Sequence, residues 1–350
     1  MTEESISISW SQINTRRRCE QKWKYKYKDR LQPKRRGRAL HIGNWLHRCL
    51  ETFYLEDDWK IGHQEYLDEW NKLFKEEQEM LSQKGRKKSK VWTPLPIQIE
   101  QIMKSYIWYH RHDGWKIIAV EEEFEVLIGQ FTTYDGITVH VYANGRIDLI
   151  VEDDEELTWV VDHKSTGSIP EPGAFHAMNP QLILYPVGMK KKEGLKVAGV
   201  IFNYVSSKAP STPQMTKKTK QISRRKVKTD YPTFRRFLKQ NGYDPADFQE
   251  ILRPLKKRSP FLRRYRLPRE KVVTQTIMRD LVAGARDIYE SRQKKFHQRN
   301  IMRDCKTFCE FHDLCRGELN GADMSHLRKT AFTIREKKDS GETDTAAEEK

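Results

Sequence analysis

Asp148 and Asp162 are the residues on which chemistry is most readily built. Asp148 stands in Gly145-Arg146-Ile147-Asp148-Leu149-Ile150, and Asp162 opens Asp162-His163-Lys164 at the end of the apolar run Trp159-Val160-Val161. Both segments are β-type. Alternate side chains of a strand share a face, so Ile147 and Leu149 are expected on one side with Asp148 on the other. Asp162 and Lys164, at i and i+2, point the same way. Two apolar strands ending in carboxylates, the second with a lysine on its own face, suit a hard divalent cation, which takes carboxylate and carbonyl oxygens. The main-chain carbonyl of His163 is a further oxygen donor. Bound Mg²⁺ or Mn²⁺ neutralises charge on a phosphoryl group and lowers the pKa of a bound water. Lys164 is positioned to orient that water or to stabilise an anionic transition state. Asp-x-Lys by itself is common and carries little weight.

Two further pairs lie at i, i+4, the spacing that sets both members on one helix face. They are Gly43 and His47 in Gly43-Asn44-Trp45-Leu46-His47, and Gln181 and Tyr185 in Gln181-Leu182-Ile183-Leu184-Tyr185. Together with Asp148 and Asp162-His163-Lys164, and in this order along the chain, they resemble the motifs of the PD-(D/E)XK nucleases. The G-x-x-x-H and Q-x-x-x-Y pairs are similar to those of the RecB-type subgroup. The resemblance implies a metal site of His47, Asp148, Asp162 and the His163 carbonyl, with Lys164 as the catalytic lysine. It implies that Gln181 and Tyr185 orient the lysine region or touch the DNA backbone. The implied fold is a restriction-endonuclease-like α/β core, a central mixed sheet flanked by helices. The implied activity is metal-dependent hydrolysis of DNA, from ends, in recombination, repair or replication. A catalytically silent or structural DNA-binding protein of the same fold is the alternative.

Cysteines lie near both ends of the chain: Cys19, then Cys305, Cys309 and Cys315 as C-x3-C-x5-C. In a reducing cytosol such thiols ligate metal or lie buried more often than they form disulfides. Four thiolates hold a [4Fe–4S] cluster or a tetrahedral zinc. One early and three late cysteines resemble the iron–sulfur staple of AddB-type and CRISPR-associated RecB-like nucleases, and a chain of this size with no helicase resembles a bacteriophage member. The family spacing is C-x2-C-x5-C, so the extra residue between Cys305 and Cys309 keeps zinc as an alternative. Cys49 reads as a buried free thiol.

The elements that must position these residues follow from periodicity. Helices are expected over 11–30, capped by Ser11, and over 39–54, with Leu40, Gly43, Leu46, Leu50 and Phe53 on one buried face. Further helices are expected over 63–82, 97–112, 179–191 and 270–298, with a loop over 82–96. Strands are expected over 116–128, 137–143, 145–151, 158–164 and 197–205, with turns at Asn144-Gly145 and at 152–156. Residues 206–270 carry nineteen Lys or Arg against five Asp or Glu, densest at Lys217, Lys218, Lys220, Arg224, Arg225 and Lys226. The interleaved aromatics include Tyr231, Phe234, Phe237 and Phe261. This stretch reads as a nucleic-acid-facing insertion in a nuclease domain over 1–333, followed by a disordered tail over 334–350.

The net charge of +16 points to a polyanionic partner. DNA is favoured over a membrane, because no apolar stretch nears the ~20 residues needed to span a bilayer. The first residues lack a signal-peptide pattern, so a cytoplasmic protein is expected, in a bacterial host if phage-encoded.

Overall fold

The computed structural model describes residues 3–35, 37–83, 95–171, 179–215, 222, 228–268 and 271–336. Eight strands occur among them: β1 (Glu3–Ser9), β2 (Leu31–Pro33), β3 (Lys116–Thr132), β4 (Thr138–Glu152), β5 (Thr158–Thr166), β6 (Val197–Ser206), β7 (Leu262–Pro268) and β8 (Phe332–Ile334). Six of these form one mixed sheet in the order β1-β4-β5-β6-β7, with β3 on β4. β3–β4, β4–β5 and β6–β7 run antiparallel, whereas β1–β4 and β5–β6 run parallel.

β3 covers one edge of β4 from Thr138 to Glu152. The other edge is shared. β1 takes Thr138–Asn144, and β5 takes Leu149–Glu152. Residues 145–148 therefore face a fork with no strand on that edge, and Asp148 lies in it.

The helices that matter here are α1 (Trp10–Arg18), α2 (Glu20–Trp23), α3 (Arg38–Glu56), α4 (Trp59–Gln83), α5 (Leu95–His110), α6 (Pro180–Glu193), α7 (Tyr231–Gln240), α8 (Gln249–Lys257) and α9 (Lys271–Arg292). One sheet face packs Val139, Val141, Ile150, Val160 and Val200 against Ile13 of α1, Leu184 and Met189 of α6, and Leu281 and Ile288 of α9. The opposite face carries Leu149, Val151, Val161 and Ile201, with Tyr54 of α3 packed on them. Burial on both faces explains why the central strands read as nearly continuous apolar runs. Each such Ile, Leu or Val contributes roughly 1.5–3 kcal/mol by leaving water. No described helix is long and apolar enough to cross a membrane.

Several sequence expectations change. Ser5-Ile6-Ser7-Ile8-Ser9 alternates as a strand and forms β1, so Ser9 rather than Ser11 caps α1, accepting the N–H of Gln12 at 3.2 Å. The helix expected over 11–30 breaks at Cys19, whose φ of −165° and ψ of 117° are extended, and it resumes as α2 and a π-helical turn over Lys24–Lys28. Leu40 is 52% exposed; the buried stripe of α3 runs through Ile42, Trp45, Leu46, Cys49, Leu50 and Phe53. Asn144-Gly145 is no turn but lies inside β4, where Gly145 is needed because a Cβ there would meet the Phe124 ring at 2.8 Å. Ile147 and Leu149 pack into separate apolar clusters, so simple alternation does not run through Asp148.

Within the basic stretch, Leu262–Pro268 is the sheet strand β7. Phe234, Phe237 and Phe261 are buried, the first two beside Leu238 and Leu252 between α7 and α8. They are core residues, not exposed stacking platforms. Tyr231 is half-buried against Trp108, ring centroids 4.6 Å apart. The densest cluster, Lys217, Lys218, Lys220, Arg224, Arg225 and Lys226, falls outside the described residues, as do 84–94 of the expected loop and 337–350 of the expected tail. Ile334 belongs to β8, paired with Leu31, and Arg335 donates its N–H to the Arg30 carbonyl at 2.9 Å. Residues near the two ends of the chain are thus joined by a small sheet.

Candidate active site

α3, the fork in the sheet and α6 bring the motif residues into one place. Gly43 sits where α3 approaches the end of β5; a Cβ there would lie 3.1 Å from Ser165 Oγ. One turn later, His47 Nδ1 lies 3.5 Å from Asp148 Oδ1. The other carboxylate oxygen, Oδ2, accepts the main-chain N–H of His163 at 2.6 Å. On β5, Lys164 Nζ lies 2.8 Å from Asp162 Oδ2 and donates to Gln181 Oε1 at 3.0 Å. Gln181 Nε2 in turn donates to the Tyr185 hydroxyl at 3.0 Å. Asn179 caps α6 by accepting the Gln181 N–H, with Pro180 at the first helical position, so the glutamine projects from the start of the helix.

The environment separates the two aspartates. Burial pushes the Asp162 carboxyl up to about 6, against the opposing charge of Lys164. Burial acts the same way on Asp148, but hydrogen bonding and charge from His47, with the His163 N–H, hold it below the ordinary range. Burial alone would lower His47, yet Asp148 raises its imidazole above the ordinary value. His163 is pushed down to about 3 by burial and is neutral.

One residue at this site escapes sequence reasoning. Glu121 stands between Val120, paired with Leu149, and Glu122, paired with Ile147, and so faces Asp148 across the β3–β4 ladder. Its φ of +53° is left-handed, a conformation a non-glycine residue rarely holds. Burial and the charge of Asp148 raise its carboxyl above the usual range, and Arg146 Nε contacts it at 2.6 Å. Among the described residues, His47, Glu121 and Asp148 bring one donor atom each within 4.8 Å of one another. Asp162, expected in the same set, is engaged by Lys164. A cavity of about 500 Å³ opens beside the three donors, lined also by Asn44, Arg48, Glu51, Glu65 and Arg146. Carboxylate oxygens with one imidazole suit a divalent cation such as Mg²⁺ or Mn²⁺. Glu121 is the first of three consecutive glutamates in Val120-Glu121-Glu122-Glu123, and nothing in that run singles it out.

The cysteines lie away from this site, Cys19 directly after α1. Cys19 occupies the break before α2 and is close enough to Cys315 for charge to be felt between them. Cys309 donates its N–H to the Cys305 carbonyl at 3.2 Å. Cys309 and Cys315 pack beside Tyr25, Phe311 and Leu314. Arg299 lies near the Cys315 sulfur and Lys22 near Cys309. Burial nonetheless raises the Cys309 and Cys315 thiols above their ordinary value, and among the described residues no three cysteine sulfurs lie within 4.8 Å of one another.

A mixed sheet sandwiched by helices, with carboxylates and a lysine meeting where two strands part, is the architecture of a restriction-endonuclease-like nuclease. The chain belongs to the PD-(D/E)XK nuclease superfamily, whose family model matches residues 7–316. Among solved structures it is similar to a candidate exonuclease from Eubacterium rectale, at 12% identity and a TM-score of 0.43, covering 87% of this chain and 86% of that one. It is also similar to the protein SSO0001, at 14% identity and a TM-score of 0.26, covering 78% and 84%. No curated protein matches.

Proposed function

We propose that this nuclease hydrolyses DNA phosphodiester bonds from ends, as a RecB-like exonuclease dependent on Mg²⁺ or Mn²⁺. The observation that carries the reading is the meeting of His47 and Asp148 beside the Asp162–Lys164 pair. His47, Asp148, Asp162 and the His163 carbonyl would hold the cation, with Glu121 as a further donor. When bound, the cation neutralises phosphoryl charge and acidifies a water. Gln181 steadies the Lys164 ammonium, and Tyr185 steadies Gln181. Lys164 then orients the attacking water or an anionic phosphoryl oxygen. The basic stretch 206–270 serves as a DNA-binding insertion within a nuclease domain over 1–333. Cys19, Cys305, Cys309 and Cys315 would hold a [4Fe–4S] cluster, with zinc as the alternative. DNA recombination, repair or replication in a bacterial cytoplasm, in a phage setting, is the context this chemistry fits.

The test offers purified protein end-labelled linear, covalently closed circular and single-stranded DNA with Mg²⁺, Mn²⁺ or EDTA. Metal-dependent shortening of linear DNA with the circle intact is the expected result. Cleavage of the circle would overturn the exonuclease reading, and no cleavage with either metal would overturn the catalytic one.

A further inference from the structure

Behind the site, a polar row crosses an otherwise apolar sheet face. His163 of β5 pairs directly with Asn203 of β6, and Asn203 with Arg264 of β7. His163 and Asn203 are almost fully buried. Arg264 Nε donates to Asn203 Oδ1 at 3.3 Å, which orients the amide. Asn203 Nδ2 then donates to Tyr106 Oη at 2.8 Å and meets His163 Nδ1 at 2.7 Å. An amide nitrogen has no acceptor capacity, so Nδ1 of His163 accepts and the ring proton sits on Nε2.

Arg264 reaches His163 by a second route. Its Nη2 donates to the Tyr54 hydroxyl at 3.2 Å, and the Tyr54 ring stacks on the His163 ring at 5.8 Å and 10°. The guanidinium is itself gripped by Asp113 at 2.6 Å and lies 4.0 Å over the Trp115 ring. A buried charged and amide row of this kind is a poor stability device, since apolar replacements are often neutral or stabilising. What the row does reach is the metal site. The residue it clamps is the one whose main-chain N–H holds Asp148 Oδ2.

We propose that Arg264 and Asn203 are positioning residues: by fixing His163 they hold its N–H on Asp148 and so aim the Asp148 carboxylate at the cation. The inference rests on the cation site proposed above. Partners of metal ligands typically change metal affinity by about 10–100-fold when removed, and that is the size of effect the row should have. His163, Asn203 and Arg264 do not line the cavity beside the site.

Mn²⁺ binding, followed by the paramagnetic resonance of the free ion, tests this in the parent, Asn203→Leu, Arg264→Lys and Asp148→Asn, with melting temperature recorded for each. Asn203→Leu should weaken Mn²⁺ binding by about tenfold or more. The Mn²⁺ concentration for half-maximal cleavage should rise in parallel, while KM for DNA at saturating Mn²⁺ stays within about twofold. Arg264→Lys keeps a charge against Asp113 but loses the fork geometry, so it should fall between Asn203→Leu and the parent. It also carries the test if the leucine variant fails to fold. Parent-like Mn²⁺ affinity in both variants, with Asp148→Asn impaired, would overturn the positioning role alone. Parent-like affinity in Asp148→Asn would overturn the cation site itself.

Discussion

The main-chain N–H of His163, two residues past Val161 in the last β4–β5 pair (Leu149 with Val161), donates to the carboxylate of Asp148 at 2.6 Å. Where the strands part, a side chain takes the hydrogen bond that a main-chain carbonyl would have taken. That leaves Oδ1 of Asp148 facing His47. The fork is therefore where the sheet passes from structural pairing to a set of groups available for chemistry.

Asp162→Ala should abolish cleavage while DNA affinity stays near that of the parent, because it removes a proposed cation donor and no phosphate contact. Cleavage of end-labelled DNA and a gel-shift titration, run side by side, check this. Equal cleavage rates in variant and parent would remove Asp162 from the mechanism.

Glu121→Gly should separate stability from function. Glycine adopts a left-handed backbone without the cost of about 1–2 kcal/mol that a Cβ incurs, and the substitution relieves a buried carboxylate. The half-exposed partner Arg146 offsets little of this. Thermal melting should rise while Mn²⁺ affinity falls. A variant that melts lower and binds Mn²⁺ normally would show Glu121 to be structural.

Metal-free stability should depend on pH through the two aspartates in opposite senses. Asp162 is raised from 3.8 to about 6 on folding, so the folded state binds the proton more tightly. Its contribution is present below about pH 4 and is lost as pH rises through about 6. Asp148 is lowered, so its contribution is present above pH 3.8 and is lost as pH falls through its folded value. Melting curves from pH 3 to 7 for the parent and Asp162→Asn should differ in slope between about pH 4 and 6. Parallel curves would contradict the raised Asp162.

Cys19→Ser should lose bound metal and melt at a lower temperature, because metal ligation would close the long loop from Cys19 to Cys305. The ends should stay together even so, since β2 pairs with β8, and Glu20 accepts the Gln298 N–H at 3.1 Å. Iron and zinc analysis, with a visible spectrum, reads the metal. Unchanged metal content would exclude Cys19 as a ligand.

The spacing of residues within one element was legible in the sequence. Asp162 and Lys164 share a strand face at i, i+2, and Gln181 and Tyr185 share a helix face at i, i+4, because backbone geometry alone sets those distances. The PD-(D/E)XK assignment follows from such local spacings taken in order. The strand β1 was also there to be read, in isoleucines alternating with serines. What only the tertiary structure decided is which distant residues meet. Glu121 reaches Asp148 through a strand register and a left-handed backbone, and the register is set by packing of the whole β3–β4 pair rather than by residues nearby. The Phe residues among the Lys and Arg of 206–270 resemble a nucleic-acid surface until α7 and α8 fold them inward. His163, Asn203 and Arg264 lie far apart along the chain and become neighbours only because β5, β6 and β7 pair side by side. Cross-strand adjacency is a sum of long-range burial and ladder hydrogen bonds, and no local pattern encodes it.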